Sequence, residues 1–430
     1  MRLHIANGRV IDPAHNIDAR KDVYIANGNI IAVGTAPDGF TPDHEIDASN
    51  CIVCPGLVDL RAHFREPGQE HKATIASESR AAARAGITTV CCPPDTDPVV
   101  DTPAVATLIR RRAEETGITR IVPLGALTQG LQGQQISEMS ALKGAGCVGV
   151  SNAMRPMSSL ITVRRAMEYA ATHDLTMFIH AEDPFLANNG CVHEGAVGTR
   201  LGLPGVPEAA ETVAVATSLA LIEQTGVRAH FSMISTARAV QMIARAQFDG
   251  LPITADASAH HLHLTEIDVL DFDSMCHVRP PLRTQRDCEG LRHGLAKKTL
   301  SAICSDHQPH EADAKLAPFS ATATGISGLE TLLPLSLRLV DDGIMTLPEV
   351  IARLTCMPAR ILGIDAGSLS PGNAADICIF DPQQYWTLTT QNMVSHGHNT
   401  PFLDWELKGL VTHTLLGGKL VYDTTDEDSS

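Results

Sequence analysis

The residues of this chain that could do chemistry stand at or just beyond the downstream ends of short apolar runs. Asp59, Arg61, His63, Arg65 and Glu66 close or follow IVCPGLVDL, and Asp95 follows ITTVCCP. Ser151 and Asn152 end CVGVS, while His180, Glu182 and Asp183 end TMFIHA. Ser232, Met233 and Ser235 end RAHFSMI, His260 and His261 follow PITADA, and Asp306, His307 and His310 end SAICSD. Imidazoles and carboxylates gathered in this way can ligate a divalent metal or move a proton, and guanidinium groups can hold a carboxylate. For any single member, a satisfied structural hydrogen bond explains the residue as well as a functional role does.

The elements that must position these residues follow from the same runs. Together with RIVPLGAL they make eight apolar, strand-like segments. Helix-period segments such as ASESRAAARAG, AVATLIRRRAEETG, LITVRRAMEYAATHD and AAETVAVATSLALIEQTG separate most of them. Several of these end in Gly, the residue that tolerates the left-handed cap. Eight buried strands alternating with helices predict a closed (β/α)8 barrel, whose chemistry gathers at the C-terminal ends of the strands. A doubly wound open sheet is the competing fold, but no G-x-G-x-x-G follows the first strand.

Both ends of the chain read differently, as short strands broken by turns. Asn7-Gly8, Asn27-Gly28 and Gly417-Gly418 are expected to make tight hairpins. The reading is a small composite β-domain from residues 1–53 and 366–424, a barrel over 54–365, and a frayed, disordered tail at 425–430.

Composition narrows the function. The 430 residues include 33 Lys+Arg and 49 Asp+Glu, a formal charge of −16, which argues against nucleic-acid or anionic-membrane binding. There is no apolar run long enough for a membrane span and no secretory leader, so the expected location is cytoplasmic. The 11 cysteines are odd in number and lie mostly in apolar runs, as buried thiols of a reducing compartment would. Cys51 and Cys54 have C-x-x-C spacing without a second pair, so they are read as strand residues. The 19 histidines alone keep metal chemistry open.

PGLVDLRAHFREPG (55–68) resembles the first-strand motif of the dihydroorotases, in the cyclic amidohydrolase superfamily. TTVCCPPDTDPVVDT, IHAED, LGLPGVPEAAE, RPPLR, SDHQPHEADAKLAPF, GISGLETLLPL and LSPGNAADICIFDP resemble later segments of that family, in the family's order. The resemblance implies the barrel with a composite β-domain. It also implies reversible closure of N-carbamoyl-L-aspartate to dihydroorotate, with two Zn²⁺ ions activating a bridging hydroxide and an aspartate, here Asp306, shuttling the proton. Such a centre takes six ligands: H-x-H on strand 1, a carboxylate on strand 4, a His on each of strands 5 and 6, and an Asp on strand 8.

At these positions the sequence departs from the family. Arg61 replaces the first His, Asn152 the bridging carboxylate and Met233 the sixth-strand His, leaving His63, His180 and Asp306. Zinc normally takes three N, O or S protein ligands at roughly 2.0–2.3 Å plus a water. Arg stays protonated, Asn offers only a neutral carbonyl, and Met is a soft thioether suited to packing. Arg61 is expected to pair with Asp306 or Asp59 in place of metal, leaving Asp306 idle. Of the family's substrate-binding positions, Arg65 and His310 are kept, but Asp95 stands where the family has Asn and would repel a dicarboxylate. Arg279 also stands where the family has Asn.

The resemblance is nearest to the non-catalytic dihydroorotase-like chains that assemble with the aspartate carbamoyltransferase catalytic chain. It implies a structural subunit of pyrimidine biosynthesis with that partner, homo-oligomer contacts and no cofactor. The competing expectation is an active zinc dihydroorotase with a rearranged mononuclear site at His63, His180 and Asp306, joined by His260 or His261. A hydantoinase-like hydrolase would need the same metals.

Overall fold

A computed structural model describes residues 1–424 of the chain; the expected frayed tail at 425–430 lies outside the described residues. Eight parallel strands form the barrel: β1 (Leu57–Asp59), β2 (Ile87–Cys92), β3 (Arg120–Pro123, continued by Gly125–Ala126), β4 (Gly149–Ser151), β5 (Thr176–His180), β6 (Ala229–Ser232), β7 (Ile253–Ser258) and β8 (Ala302–Cys304). Strands β1 to β3 pair in order, and the second half of β3 continues through β4 to β8. The ring closes just beyond the strands, where Ala62 bridges His307 and the His63 amide donates to the His307 carbonyl at 2.8 Å. The closed barrel is therefore as expected, and the open sheet is excluded.

Helices wrap the strands for the reasons the sequence suggested. The Ile75–Arg84 helix starts on a Thr74–Ser77 capping box, which satisfies its first amides. Pro103–Thr116 and Glu208–Thr225 end at Gly117 and Gly226, both in the left-handed conformation (φ 62° and 67°). Between strands and helices lies one apolar core containing Ile87, Val90, Val150, Phe231 and Ile303.

The termini form two further sheets. One carries Asn29–Val33, Val23–Ala26, Arg2–Ala6 and His44–Asp47 in that order. The other runs Lys419–Asp423, Glu406–Leu416, Ile377–Thr387, Ile52–Pro55, Arg9–Asp12 and Ile17–Arg20. Ile377 pairs with Pro55 and Phe380 with Ile52, so the two ends of the chain share one sheet. Leu3 and Ile5 of the first sheet share one apolar core with Val53, Ile377 and Leu415 of the second.

Three details differ from the sequence expectation. Asn7-Gly8 does not make a hairpin, because Arg2–Ala6 and Arg9–Asp12 belong to different sheets. A Cβ on Gly8 would come within 2.5 Å of Val53, so glycine is needed there for close packing. The run 52–60 is two strands, Ile52–Pro55 in the terminal sheet and β1 in the barrel, so that sheet continues past residue 53. Within 366–424, the stretch 388–405 folds over the barrel rim: Ser395 bonds Glu78, and Asn399 bonds His310 and Gln308. Asn27-Gly28 and Gly417-Gly418 do turn hairpins, each with positive φ at both residues. All 11 cysteines are free thiols, Cys54 in its strand and Cys51 just before it.

Candidate active site

The strand-end residues converge on the barrel mouth, and Arg61 occupies its centre. Arg61 Nε donates to Asp306 Oδ1 at 2.9 Å, with 8% and 1% of the two side chains exposed. Burial pushes the Asp306 carboxyl up to about 6, against the pull of Arg61 and of Gln308, whose amide donates at 3.1 Å. Burial would lower the Arg61 guanidinium, but Asp306 and Asp95 outweigh it and hold its pKa above the ordinary value. Of the two expected partners, the guanidinium takes Asp306. Asp59 accepts the Ser305 hydroxyl and amide and the Arg61 backbone amide, and burial pushes it up to about 7.

The remaining ligand-type groups face other partners. His63 Nε2 lies 3.1 and 3.2 Å from the two oxygens of Asp95. Burial alone would raise Asp95, but His63 and Arg61 hold it well below the usual carboxylate range. His63 is itself kept below its ordinary value by burial. His180 is 5% exposed, held down to about 4 by burial, and neither ring nitrogen has a hydrogen-bond partner. Asn152 ties its own loop to the segment after β3: its carbonyl accepts from the Thr128 hydroxyl at 2.7 Å and its amide donates to the Arg155 carbonyl at 2.9 Å.

Met233 is 1% exposed and packs with Val58, Leu60, Leu124, Phe178 and Cys304 inside the barrel. Its backbone takes a left-handed turn (φ 56°), held by donation of its amide to Asp256 Oδ1 at 2.5 Å. Asp256 also accepts from His230 at 2.9 Å. Such a turn is strained for a large side chain and persists because buried partners fix it.

His260 and His261 do not join His63 or His180. His261 bonds the Ser258 hydroxyl at 2.6 Å and the Pro280 carbonyl at 3.1 Å, and His260 bonds the same hydroxyl at 3.1 Å. Among the described residues, no group of three or more His, Cys, Asp or Glu side chains is arranged to hold a metal ion. The donor set present does not fit the two-zinc centre that the resemblance implies. A fixed cation stands beside Asp306, His63 faces Asp95, and the positions at 152 and 233 carry no anionic or imidazole donor.

On the substrate side, Arg65 and His310 meet each other. Arg65 donates to the Pro309 carbonyl at 3.0 Å and its Nη2 lies 3.1 Å from His310 Nε2. Burial, with Arg65 and Lys72 adding to it, holds His310 down to about 3, so it is neutral at pH 7. The space between Arg65, His63 and Asp95 amounts to only about 20 Å³. Arg279 pairs with Glu182 through both carboxylate oxygens.

The sequence reading passed over a second polar layer behind these residues. Glu78 accepts from His307 at 2.9 Å, from the Ser395 hydroxyl at 2.7 Å and from the His396 amide at 3.1 Å. Asn399 accepts the His310 amide at 2.8 Å and donates to the Gln308 and Gly325 carbonyls. The polar run HGHN (396–399), set in a segment otherwise assigned to strands, was the available signal.

A (β/α)8 barrel with a two-ended β-domain and a rim of His, Asp and Arg is the build of the cyclic amidohydrolases. In fold, the structure is similar to L-hydantoinase from Arthrobacter aurescens, with a TM-score of 0.88 over 98% of this chain and 96% of that one at 21% identity. A D-hydantoinase matches with a TM-score of 0.82 over 98% and 95% of the chains, also at 21% identity. Residues 50–239 match the dihydro-orotase-like family model. The chain is 49% identical over 422 residues to a dihydroorotase-like protein of Pseudomonas putida, covering 98% of this chain and 99% of the relative. It is 44% identical over 427 residues to a dihydroorotase of Syntrophotalea carbinolica, covering 99% and 100%. The chain belongs to the dihydroorotase-like family.

Proposed function

We propose that this chain is a non-catalytic member of the family, serving pyrimidine biosynthesis as a structural subunit in assembly of the aspartate carbamoyltransferase complex. The observation that carries the loss of catalysis is the Arg61–Asp306 contact. A guanidinium occupies the first-strand ligand position and engages the family's proton-shuttling carboxylate. The Asp95 carboxylate beside Arg65 adds support, because His63 and Arg61 hold it charged and it would repel a dicarboxylate.

The assembly role rests on the resemblance, with the −16 charge suited to a partner bearing basic patches. On this reading the protein works in the cytoplasm; among the described residues no helix is long and apolar enough to cross a membrane. Metal analysis, a carbamoyl-aspartate cyclisation assay with and without added Zn²⁺, and co-purification with the transcarbamoylase catalytic chain test the proposal together. Expected are sub-stoichiometric zinc, no turnover and a stable complex. Stoichiometric zinc with turnover on the order of 1 s⁻¹ or faster overturns the non-catalytic reading, and failure to co-purify removes the partner.

One observation favours a second reading, an altered mononuclear zinc dihydroorotase. His180 keeps both ring nitrogens free of hydrogen bonds in a buried position. The same metal analysis decides between the two.

A further inference from the structure

The Glu208–Thr225 helix lies on the outside of the barrel, yet from Thr212 to Ile222 it carries no charged residue. A helix that is apolar on every side is ordinarily buried on every side. Here Ala209, Val213, Ala216 and Ala220, one helical stripe, face solvent. The Leu160–Thr172 helix and the Pro184–Ala187 turn pack against this helix, and they expose Leu160, Ile161, Phe185 and Leu186. With Val213 these are five of the 13 exposed large apolar side chains among the described residues, gathered on three adjacent elements. Single exposed apolar residues need no explanation, but a cluster of this kind marks a contact surface.

Phe185 is 89% exposed and held in place, because Asp183 accepts from the Phe185 and Leu186 amides at 3.0 and 2.9 Å. The Asp183 amide donates to the Ala210 carbonyl at 2.8 Å, which sets Phe185 at the N-terminal end of the long helix. Beside it a groove of about 340 Å³ runs between the two helices as far as Leu221. Its lining is mixed: Met157, Val163 and Leu221 are apolar, while Arg155, Thr217 and Ser218 are polar. An apolar pocket of about 150 Å³ already takes a benzene ring, so the groove has room for a phenyl side chain from outside. A projecting ring and a groove on one face are what a two-fold contact needs, since each copy offers the knob that the other receives. Charge points the same way. Two chains of charge −16 repel each other wherever carboxylates meet, and along this stripe they do not meet. A partner drawn by basic patches would find nothing to pair with there. Helices of about 27 and 20 Å lying side by side present roughly 500 Å². Buried in both copies, that makes about 1,000 Å², the lower bound of a specific interface.

We propose that a second copy of this chain covers this face about a two-fold axis, with Phe185 of each copy seated in the groove of the other. The two Glu208–Thr225 helices then run antiparallel and meet near Ala216. That arrangement brings each Phe185, at the N-terminal end of one helix, opposite the Leu221 end of the groove in the other copy. The inference is separate from the assembly role: it is read on the isolated chain, whether or not the transcarbamoylase chain binds.

The test is the mass of the isolated full chain in solution, by sedimentation equilibrium. Expected is a dimer with a dissociation constant on the order of 1 μM or tighter. Raising NaCl from about 50 to about 500 mM should leave it as tight or tighter, because salt screens the repulsion between two acidic chains. Ala220→Glu and Phe185→Ser, both at solvent-facing positions, should each weaken the dimer at least about tenfold. Unchanged circular dichroism of both variants separates this from misfolding. Phe248→Ser, at an exposed ring on a different helix, should change nothing. A chain that stays monomeric at about 50 μM overturns the proposal, as does a dimer that dissociates at the higher salt. A dimer as tight in Ala220→Glu and Phe185→Ser as in the unaltered chain overturns it too, since the copies then meet elsewhere. If the chain is monomeric alone and Ala220→Glu loses the transcarbamoylase chain, the face belongs to that partner and the proposal falls.

Discussion

Arg61 Nε and Asp306 Oδ1 lie 2.9 Å apart in the barrel mouth, each side chain almost shut off from water. A buried ion pair of this kind contributes little net stability, but losing one partner strands the other charge at low dielectric. Arg61→Met should therefore cost about 3–5 kcal/mol at pH 7.5. The deficit should shrink at pH 5, because Asp306, already pushed up to about 6, can then take a proton. Adding Asp306→Asn to Arg61→Met should recover more than half of the loss, and urea unfolding of the four proteins at both pH values measures the coupling. Additive losses would mean that the two charges do not depend on each other.

Zinc affinity should respond to one substitution and ignore another. Arg61→His removes the cation, frees Asp306 and restores H-x-H beside it, giving two imidazoles and a carboxylate. That protein should bind Zn²⁺ at least about tenfold more tightly than the unaltered chain in a competition titration. Met233→His should gain nothing. Its imidazole would enter the cluster of Leu60, Leu124 and Phe178, and the unpaired polar group should cost about 2 kcal/mol of stability.

Much of this arrangement was legible in the residues. The alternation of apolar runs and helices pointed to the barrel, and the absence of a G-x-G-x-x-G after the first strand argued against the open sheet that the same alternation allows. Arg61, Asn152 and Met233 declared themselves because their side chains cannot do what the family position asks. What pairing alone could not specify was geometry across distant segments. Asn7-Gly8 has the local chemistry of a hairpin, yet the packing of Gly8 on Val53 sends the chain into a second sheet. Glu78 looked like any helical glutamate, because its partners lie 229 and 317 residues away. Asp95 was expected to repel a substrate; its engagement with His63 depends on the loop after β2 folding back over β1.

Stability should rise with pH between about 4 and 6.5. Burial holds His180, His261, His263 and His277 down to about 4 and His310 to about 3. Unfolded histidines near 6.5 bind protons that these folded ones refuse, so stability is lost as pH falls through that window. Asp59, pushed up to about 7, and Asp306, at about 6, act in the opposite sense. They favour folding at low pH and lose that contribution as pH rises through 6 to 7. These five groups against two leave a net slope of about 4 kcal/mol per pH unit near pH 5, and His63, His193, His260, His307 and His413, also lowered by burial, add to it in the same direction. Above 6.5 only the carboxyls titrate, so the curve should flatten or decline slightly. Guanidinium unfolding across pH 4–8 measures it, and a stability maximum near pH 5 would contradict the histidine assignment.

Glu78 ties three pieces of chain together: its own helix, the turn after β8 through His307, and the rim segment through Ser395 and His396. The carboxylate is fully buried, and burial alone would raise its pKa, but His307, Ser395 and Ser77 hold it below the ordinary value. Glu78→Ala removes an acceptor that no neighbour can replace, leaving the His307 Nε2 and the Ser395 hydroxyl without it. A loss of about 3 kcal/mol or more is expected, in line with breaking other buried charged networks. Glu78→Gln keeps the shape and one acceptor oxygen, so its loss should be about half as large. The two should also differ locally. In Glu78→Ala the segment 388–405 loses one of its anchors to the barrel, and chymotrypsin should cut within it, after Met393 or Phe402, faster than in the unaltered chain. Equal cutting rates in all three proteins would show that Asn399 and the packing of Phe402 hold the segment without Glu78.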